Sequence, residues 1–461
     1  MMKVLVVSGE YPPMKGGVGR YTLNLVHALS KKSNVDVSVA ISAAAAATAD
    51  AAPPHPLPPP PAPAFATTAT TGAPAASPTS NKVTVYPGIV RKGDKQNSDH
   101  LLQLVSEIKP DIVNIQYERG LYEVDTTIRH TIWRLVHGST LDRFYRKCPV
   151  PIVSTLHTVF PEEEYRSYVK DRALRKEGRF GFLPMPLRAA IRRWVMEQRY
   201  DLLLEVVRLS DGIISPARTI KDVVRRGTVI YHGAEPNIEV SSSSSSTTND
   251  KQHQQQFRKE LGLPSEKMLL LAFGYAGSYK GFDVLGSLRL PNGWSLVVKQ
   301  TKHERGSEKP IDLRKNGDNS NDVVSLHLGY LDDSTLSKLF FACDAIIFPY
   351  KVVSVSGVMF DALAHGLPFI ASNLRFFREF ADMGLGIACN RDMQSFEQAL
   401  WNLATVYDEY KTRVEQFRSN LRWSNVAQKH VEFFLELISQ WNVKNTNEGA
   451  KYEDNSRRLI S

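Results

Sequence analysis

Cysteine is scarce: Cys148, Cys343 and Cys389 are the only three in 461 residues. They lie far apart in apolar contexts, and none has metal-ligand spacing to another Cys or His. A disulfide framework and a structural zinc site are therefore excluded, and the thiols suit packing in a reducing compartment. Long hydrophobic runs are missing too. No window reaches the ~18 apolar residues of a spanning helix, and the Ala run after Ile41 is weakly apolar and carries Asp50. A leader peptide is not expected, because Lys3-Val-Leu-Val-Val reads as a short strand cut off by Gly9 and Pro12-Pro13. No acidic pair has metal-ligand spacing, and no nucleic-acid-binding module can be recognised. The expectation is a cytoplasmic protein, either soluble or peripheral on the inner face of the membrane.

What is present is a chain too long for one ordinary domain, with 42% hydrophobic residues to build sizeable cores. The formal net charge of +9 and the pI of about 9.2 favour anionic partners. Nucleotides and phospholipid surfaces are preferred over nucleic acid.

Two stretches break the globular composition. Residues 43–81 are Ala, Pro, Thr and Ser with PPHPLPPPPAPA in the middle, which cannot build a core and reads as a disordered insertion between two strands. A tolerated tether and a ligand for a proline-reading domain are the two readings. Residues 241–256, SSSSSSTTNDKQHQQQ, read as a flexible linker, so residues 1–240 form a first domain and the second starts at 257. Both halves alternate strand and helix, which predicts an α/β protein of two Rossmann-like domains with a cleft between their strand ends.

The most informative stretch is Phe348 to Glu379. Asp344-Ala-Ile-Ile-Phe-Pro reads as a buried strand, Val358 to His365 as a helix, and LPFIAS as another buried strand. Ser356 suits the N-cap and Gly366 the left-handed residue after the helix. The backbone N–H groups of Ser356, Gly357 and Val358 would then form a phosphate site. Asp361 is the one charge on an otherwise apolar helix and needs a partner: a ribose diol, the helix dipole or a nearby Lys.

Other candidates lie where strands end. Lys3–Ser8 is a strand followed by a loop with Gly16, Gly17 and Gly19, which allow close approach of backbone to ligand or merely a tight turn. The helix Arg20–Lys31 should bury Leu23, Val26, Ala28 and Leu29. His157 ends the strand Pro151–Leu156, at the sheet edge that holds ligands in open α/β folds. Lys280 follows a strand in the loop Gly277–Gly281, where it would meet a diphosphate or simply water. Residues 166–199 interleave ten Lys and Arg side chains with Phe182, Trp194 and other apolar residues. That pattern suits either an interfacial segment on anionic lipid or a solvated face.

These motifs together resemble the GT-B-fold glycosyltransferases, in particular the retaining family GT4. GEYPPMKGGVGRYTLNLVHAL, PDIVNIQYE, IVSTLHT, SDGIISPA and VIYHGAEP recur in that family's order, followed by FGYAGSYKGFDVL, DALAHGLPFIAS with Arg378-Glu379, and RWSNVAQKHVEFF. There are two departures. Asp361 stands at the second of the family's two donor-site glutamates while Val353 falls at the first, and Tyr275 stands where the phosphate loop often has Arg.

The resemblance implies a retaining hexosyltransferase (mannose or glucose type) that uses a UDP- or GDP-linked sugar and a glycan or lipid-linked acceptor, with no metal and no cofactor. It implies that His157 contacts the transferred sugar. Lys280, helped by Lys299 or Arg305, would neutralise the diphosphate together with Ser356, Gly357, Val358 and the Gly16-Gly17 loop. Residues 257–420 would form the donor domain, 421–442 a helix returning to the first domain, and 443–461 a disordered tail. A non-catalytic binding protein and a nucleotide-sugar epimerase or hydrolase are the alternatives.

Overall fold

The computed structural model describes residues 1–42, 83–123, 139–174, 183–237, 247–301, 323–326 and 329–458. The expected insertion at 43–81, the helix expected at 127–136 and Arg305 lie outside them.

The first domain carries strands β1 (Met2–Ser8), β2 (Val35–Ser42), β3 (Thr84–Val90), β4 (Ile112–Tyr117), β5 (Ile152–Leu156), β6 (Gly212–Ser215) and β7 (Thr228–Val229). Its helices are α1 (Gly17–Ser30), α2 (Asn97–Ile108), α3 (Arg119–Tyr122), α4 (Asp142–Lys147), α5 (Glu162–Leu174), α6 (Met185–Leu209) and α7 (Arg218–Val224). The second domain begins with α8 (Thr247–Glu260), β8 (Met268–Tyr275), β9 (Trp294–Thr301), β10 (Val323–Ser325) and α9 (Asp333–Ala342). It continues through β11 (Ala345–Phe348), α10 (Gly357–Ala364), β12 (Phe369–Ser372), α11 (Arg375–Ala381) and β13 (Gly386–Cys389). Helices α12 (Met393–Thr405), α13 (Tyr407–Arg418) and α14 (Trp423–Arg458) complete the chain.

The strands form two parallel sheets, ordered β3-β2-β1-β4-β5-β6-β7 and β10-β9-β8-β11-β12-β13. Both faces of each sheet are covered, which is why the strands read as continuous apolar runs. In β1, Val4 and Val6 join one core while Leu5 and Val7 join the other. In β8, Leu269 and Leu271 face away from Leu270 and Ala272 in the same way. The expected α/β architecture of two Rossmann-like domains is present. In each sheet the direction of winding reverses at the centre, between β1 and β4 and between β8 and β11, and the loops leaving those strands open the ligand crevices.

The chain ends by recrossing. Helix α14 packs on α1: Trp423, Val426, Ala427, Val431 and Phe434 share a core with Tyr21, Leu25, Val26 and Leu29. Each of the Val, Leu and Phe side chains contributes roughly 1.5–3 kcal/mol by leaving water. Gly233 lies against this seam, where a Cβ would come within 2.5 Å of the Trp423 ring.

Three expectations are corrected. The low-complexity linker is helical from Thr247 onward. Tertiary anchors override its composition: Phe257 is buried, and the buried Arg258 donates to Asp344 at 2.7 Å and to the carbonyls of Ala342, Ser265 and Lys267. The expected tail continues α14 as helix to Arg458, since no proline interrupts the helix begun at Trp423. On α1, Leu23 is exposed, whereas Val26, Ala28 and Leu29 are buried and Tyr21 and Leu25 are buried with them.

Candidate functional site

Lys280 is the centre of the second-domain site. It lies in a short 3-10 turn, Ser278–Lys280, after β8. Two glycines place it there. Gly281 has φ +68, and a Cβ on it would meet the Pro349 carbonyl at 1.9 Å. Gly274 has φ +149, a conformation that side-chain-bearing residues rarely adopt, and its backbone runs beside the Lys280 stem, whose Cε would make ordinary contact at 3.4 Å with a Cβ there. The side chain is therefore folded inward and is only 7% exposed. Its ammonium sits 3.9 Å from the Tyr350 ring centroid and donates to the Tyr350 hydroxyl, with no carboxylate beside it among the described residues. Burial pulls its pKa from 10.5 down to about 7.

The Tyr350 hydroxyl also meets Ser356, which joins Lys280 to the start of α10. Ser356 is the N-cap of that helix, and its Oγ accepts from the Met359 N–H. Gly366, with φ +79, ends the helix turn as expected. Gly357 and Val358 are the first two residues of α10. Gly357 faces the other domain, with the His232 Nε2 lying 3.6 Å from where its Cβ would be. Lys299 is buried on β9 opposite Phe273, but its ammonium is tied to its own strand, 2.9 Å from Thr301 Oγ1 and 3.3 Å from the Gln300 carbonyl.

The partner of Asp361 is Arg20 on α1, whose guanidinium lies 2.9 Å from its carboxylate and 3.4 Å from Asp333. Burial pushes the Asp361 pKa up, and Arg20 pulls it back. The pair therefore bridges the two domains across the cleft. Other bridges join the same faces. The Val159 N–H donates to Ser354 Oγ at 2.6 Å, and Glu379 accepts from the first N–H groups of α7, those of Arg218 and Thr219.

The first-domain wall carries two histidines against Tyr21, each with its ring centroid 4.9 Å from the tyrosine's. His157 follows β5 and lies 2.9 Å from Gln116 Oε1. Burial, then His232, lowers its pKa to about 3. His232 follows β7, is stacked flat on Phe360 at 5.4 Å, and is lowered to about 4 chiefly by burial. Its Nδ1 lies 2.7 Å from the Gly233 carbonyl, which can only accept, so the proton is on Nδ1 and Nε2 carries the lone pair.

The Gly16-Gly17 loop is less open than the sequence suggests. The Glu10 side chain fills the space beside Gly16, 1.9 Å from where a Cβ would be, and accepts from the Gly19 N–H at 2.9 Å. A carboxylate thus already occupies the amino end of α1, while Gly17 has open space around it. Among the described residues no group of His, Cys, Asp or Glu side chains is placed to hold a metal ion, and no helix is long and apolar enough to cross a membrane.

No protein-family model matches the chain, and no curated protein matches it. Solved structures do. Sucrose-phosphate synthase from Thermosynechococcus elongatus superposes with a TM-score of 0.58 at 13% identity, over 95% of this chain and 100% of that one. A glycosyltransferase from Rickettsia africae gives 0.55 at 11%, over 95% and 98%. UDP-GlcNAc 2-epimerase from Neisseria meningitidis, bound to UDP-GlcNAc, gives 0.50 at 13%, over 94% and 100%. The chain has the GT-B fold. At such identities the likeness establishes architecture, and chemistry has to be argued from the side chains.

Within that fold, the two central crevices meet face to face and bring together Lys280, Ser356, Gly357, Asp361, Arg20, His157 and His232. Sequence reasoning missed Arg20 and His232 as site residues. Arg20 looked like the first residue of an amphipathic helix, and only the partner across the cleft singles it out. His232 stood in the VIYHGAEP motif, and a lone His-Gly after a short strand was its only local signal.

Proposed function

We propose that this chain is a retaining glycosyltransferase that moves a hexose, of mannose or glucose type, from a UDP- or GDP-linked sugar to a glycan or lipid-linked acceptor. The observation that carries the reading is Lys280. A buried ammonium with no carboxylate beside it is costly, and a diphosphate is the ligand that would relieve it. In the proposed reaction the bond from sugar to β-phosphate breaks, and charge develops on the departing diphosphate. Lys280 and the N–H groups at the start of α10 stabilise that charge. The acceptor hydroxyl attacks the same face, and its proton passes to the leaving phosphate, so no metal is required. The lone pairs of two neutral histidines face a sugar better than imidazolium ions would, because positive charge builds at the anomeric carbon.

The epimerase among the structural neighbours motivates the second reading, an epimerase or hydrolase of nucleotide sugars. Such an enzyme needs an acid–base pair in the cleft. Here Asp361 is engaged by Arg20 and both histidines are held neutral, which favours transfer. The acceptor side is proposed to be lipid-linked, with residues 166–199 resting on an anionic surface. Met185, Leu187 and Trp194 on α6 are exposed, which leaves apolar side chains available to such a surface.

The test is incubation of the purified protein with radiolabelled UDP- and GDP-hexoses and a lipid or glycan extract. Label should pass to an acceptor product, and Lys280→Ala should cost at least ~2 kcal/mol of transition-state stabilisation. Free labelled sugar or an epimerised nucleotide sugar as the sole product would replace transfer with the second reading.

A further inference from the structure

The ring of His157 does not stand alone. Behind it lies a row of buried amides on β4, the strand between β1 and β5. Asn114 and Gln116 are fully buried and, being two apart on one strand, point to the same face. The Asn114 amide nitrogen lies 3.3 Å from the Val153 carbonyl and 3.0 Å from Thr155 Oγ1, both on β5. The carbonyl can only accept, so the Asn114 amide must present its NH2 to β5 and its Oδ1 to Gln116. Gln116 then has to offer its own NH2 to Asn114, which is the contact observed. That turns Gln116 Oε1 toward His157 Nε2 at 2.9 Å. An amide oxygen also only accepts, so the proton of the neutral ring belongs on Nε2 and the lone pair on Nδ1.

We propose that Asn114 and Gln116 are positioning residues, a buried amide relay anchored on the Val153 carbonyl that fixes His157 as the Nε2–H tautomer and presents its Nδ1 lone pair to the sugar. Nothing in a strand packed between two others requires polar side chains at these two positions. A sheet face so enclosed is ordinarily filled by Val, Ile or Leu. As a fully bonded row they give the ring one orientation and one tautomer, while His232 is set independently as Nδ1–H by the Gly233 carbonyl. The two rings that flank Tyr21 thus carry opposite tautomers. The catalytic consequence rests on the glycosyl-transfer reading, but the tautomer assignment does not.

The experiment is two-dimensional proton–nitrogen NMR of the histidine rings in the full chain at pH 7, with His157→Gln used to assign the resonance. The expected result is a single His157 signature with bare Nδ1 and protonated Nε2. Gln116→Met removes the acceptor at similar volume. It should broaden or average the two ring nitrogens and lower kcat at least tenfold with KM within threefold. Asn114→Leu leaves the Gln116–His157 contact in place but removes the acceptor that orients the Gln116 NH2, and it should also mix the two ring nitrogens, which separates a relay from a single contact at His157. A protonated Nδ1 in the wild type overturns the assignment, and ring nitrogens unchanged in Gln116→Met overturn the relay. Absence of transfer by the wild type would count against the proposed activity and leave the ring signature to be judged separately.

Discussion

Lys280 gives the sharpest quantitative expectation, because its ligand-free state is charged only part of the time. With a pKa near 7, about a tenth of the molecules carry the ammonium at pH 8. A bound diphosphate placed on this nitrogen restores a pKa near the ordinary lysine value. Binding UDP or GDP at pH 8 should therefore take up about 0.9 proton, and at pH 6 about 0.1. Isothermal titration calorimetry in two buffers of different ionisation enthalpy measures that number directly. Lys280→Met is the control that subtracts any proton exchanged by the nucleotide itself. The same displacement sets a stability trend. The folded-state value lies below the unfolded one, so the folded chain holds fewer protons between pH 7 and 10.5, and the Lys280 contribution to stability rises with pH across that window. Its ceiling is on the order of 5 kcal/mol, and Lys280→Met should flatten the trend in thermal unfolding. Proton uptake near zero at pH 8, or uptake unchanged by Lys280→Met, would refute placing the diphosphate on Lys280.

Three further outcomes are expected. Gly233→Ala should lower stability by about 1–3 kcal/mol, read from urea unfolding, because the new methyl meets the Trp423 ring and not a yielding side chain. Replacing residues 43–81 by a flexible linker of about ten residues should leave thermal stability and nucleotide binding unchanged. Because Ser38 pairs with Thr84, the chain leaving Ser42 has to run back only four residues, roughly 13 Å, to enter β3. The protein should co-sediment with anionic vesicles at low salt, more weakly at high salt, and least when Arg188, Arg192 and Arg193 are changed to Glu, each cation near the surface contributing about 1 kcal/mol. Equal sedimentation with neutral vesicles would remove the charged surface from the account.

The sequence by itself determined the architecture and one wall of the cleft. Apolar runs such as Lys3–Ser8 and Met268–Phe273 can only be strands covered on both faces, and their alternation with amphipathic segments leaves little choice but stacked parallel sheets. Ser356 and Gly366 announced both ends of α10 because capping is a local matter, settled by one hydroxyl and one positive φ. The sequence also singled out Asp361 as a charge in need of a partner, and it could not say which.

The tertiary structure decided everything that depends on residues distant along the chain. Arg20 and Asp361 are 341 positions apart and become partners only when the two sheets face each other. Lys280 reads as an ordinary exposed lysine until Gly274 and Gly281 are seen to fold it under Tyr350. The Gly16-Gly17 loop looks empty in sequence, whereas in space Glu10 turns back to fill it. Polar 247–260 becomes helix because Arg258 and Phe257 find buried partners. The Arg20–Asp361 pair and the Arg258 anchors are contacts between separate elements, and such contacts leave no mark on the spacing of residues along one segment.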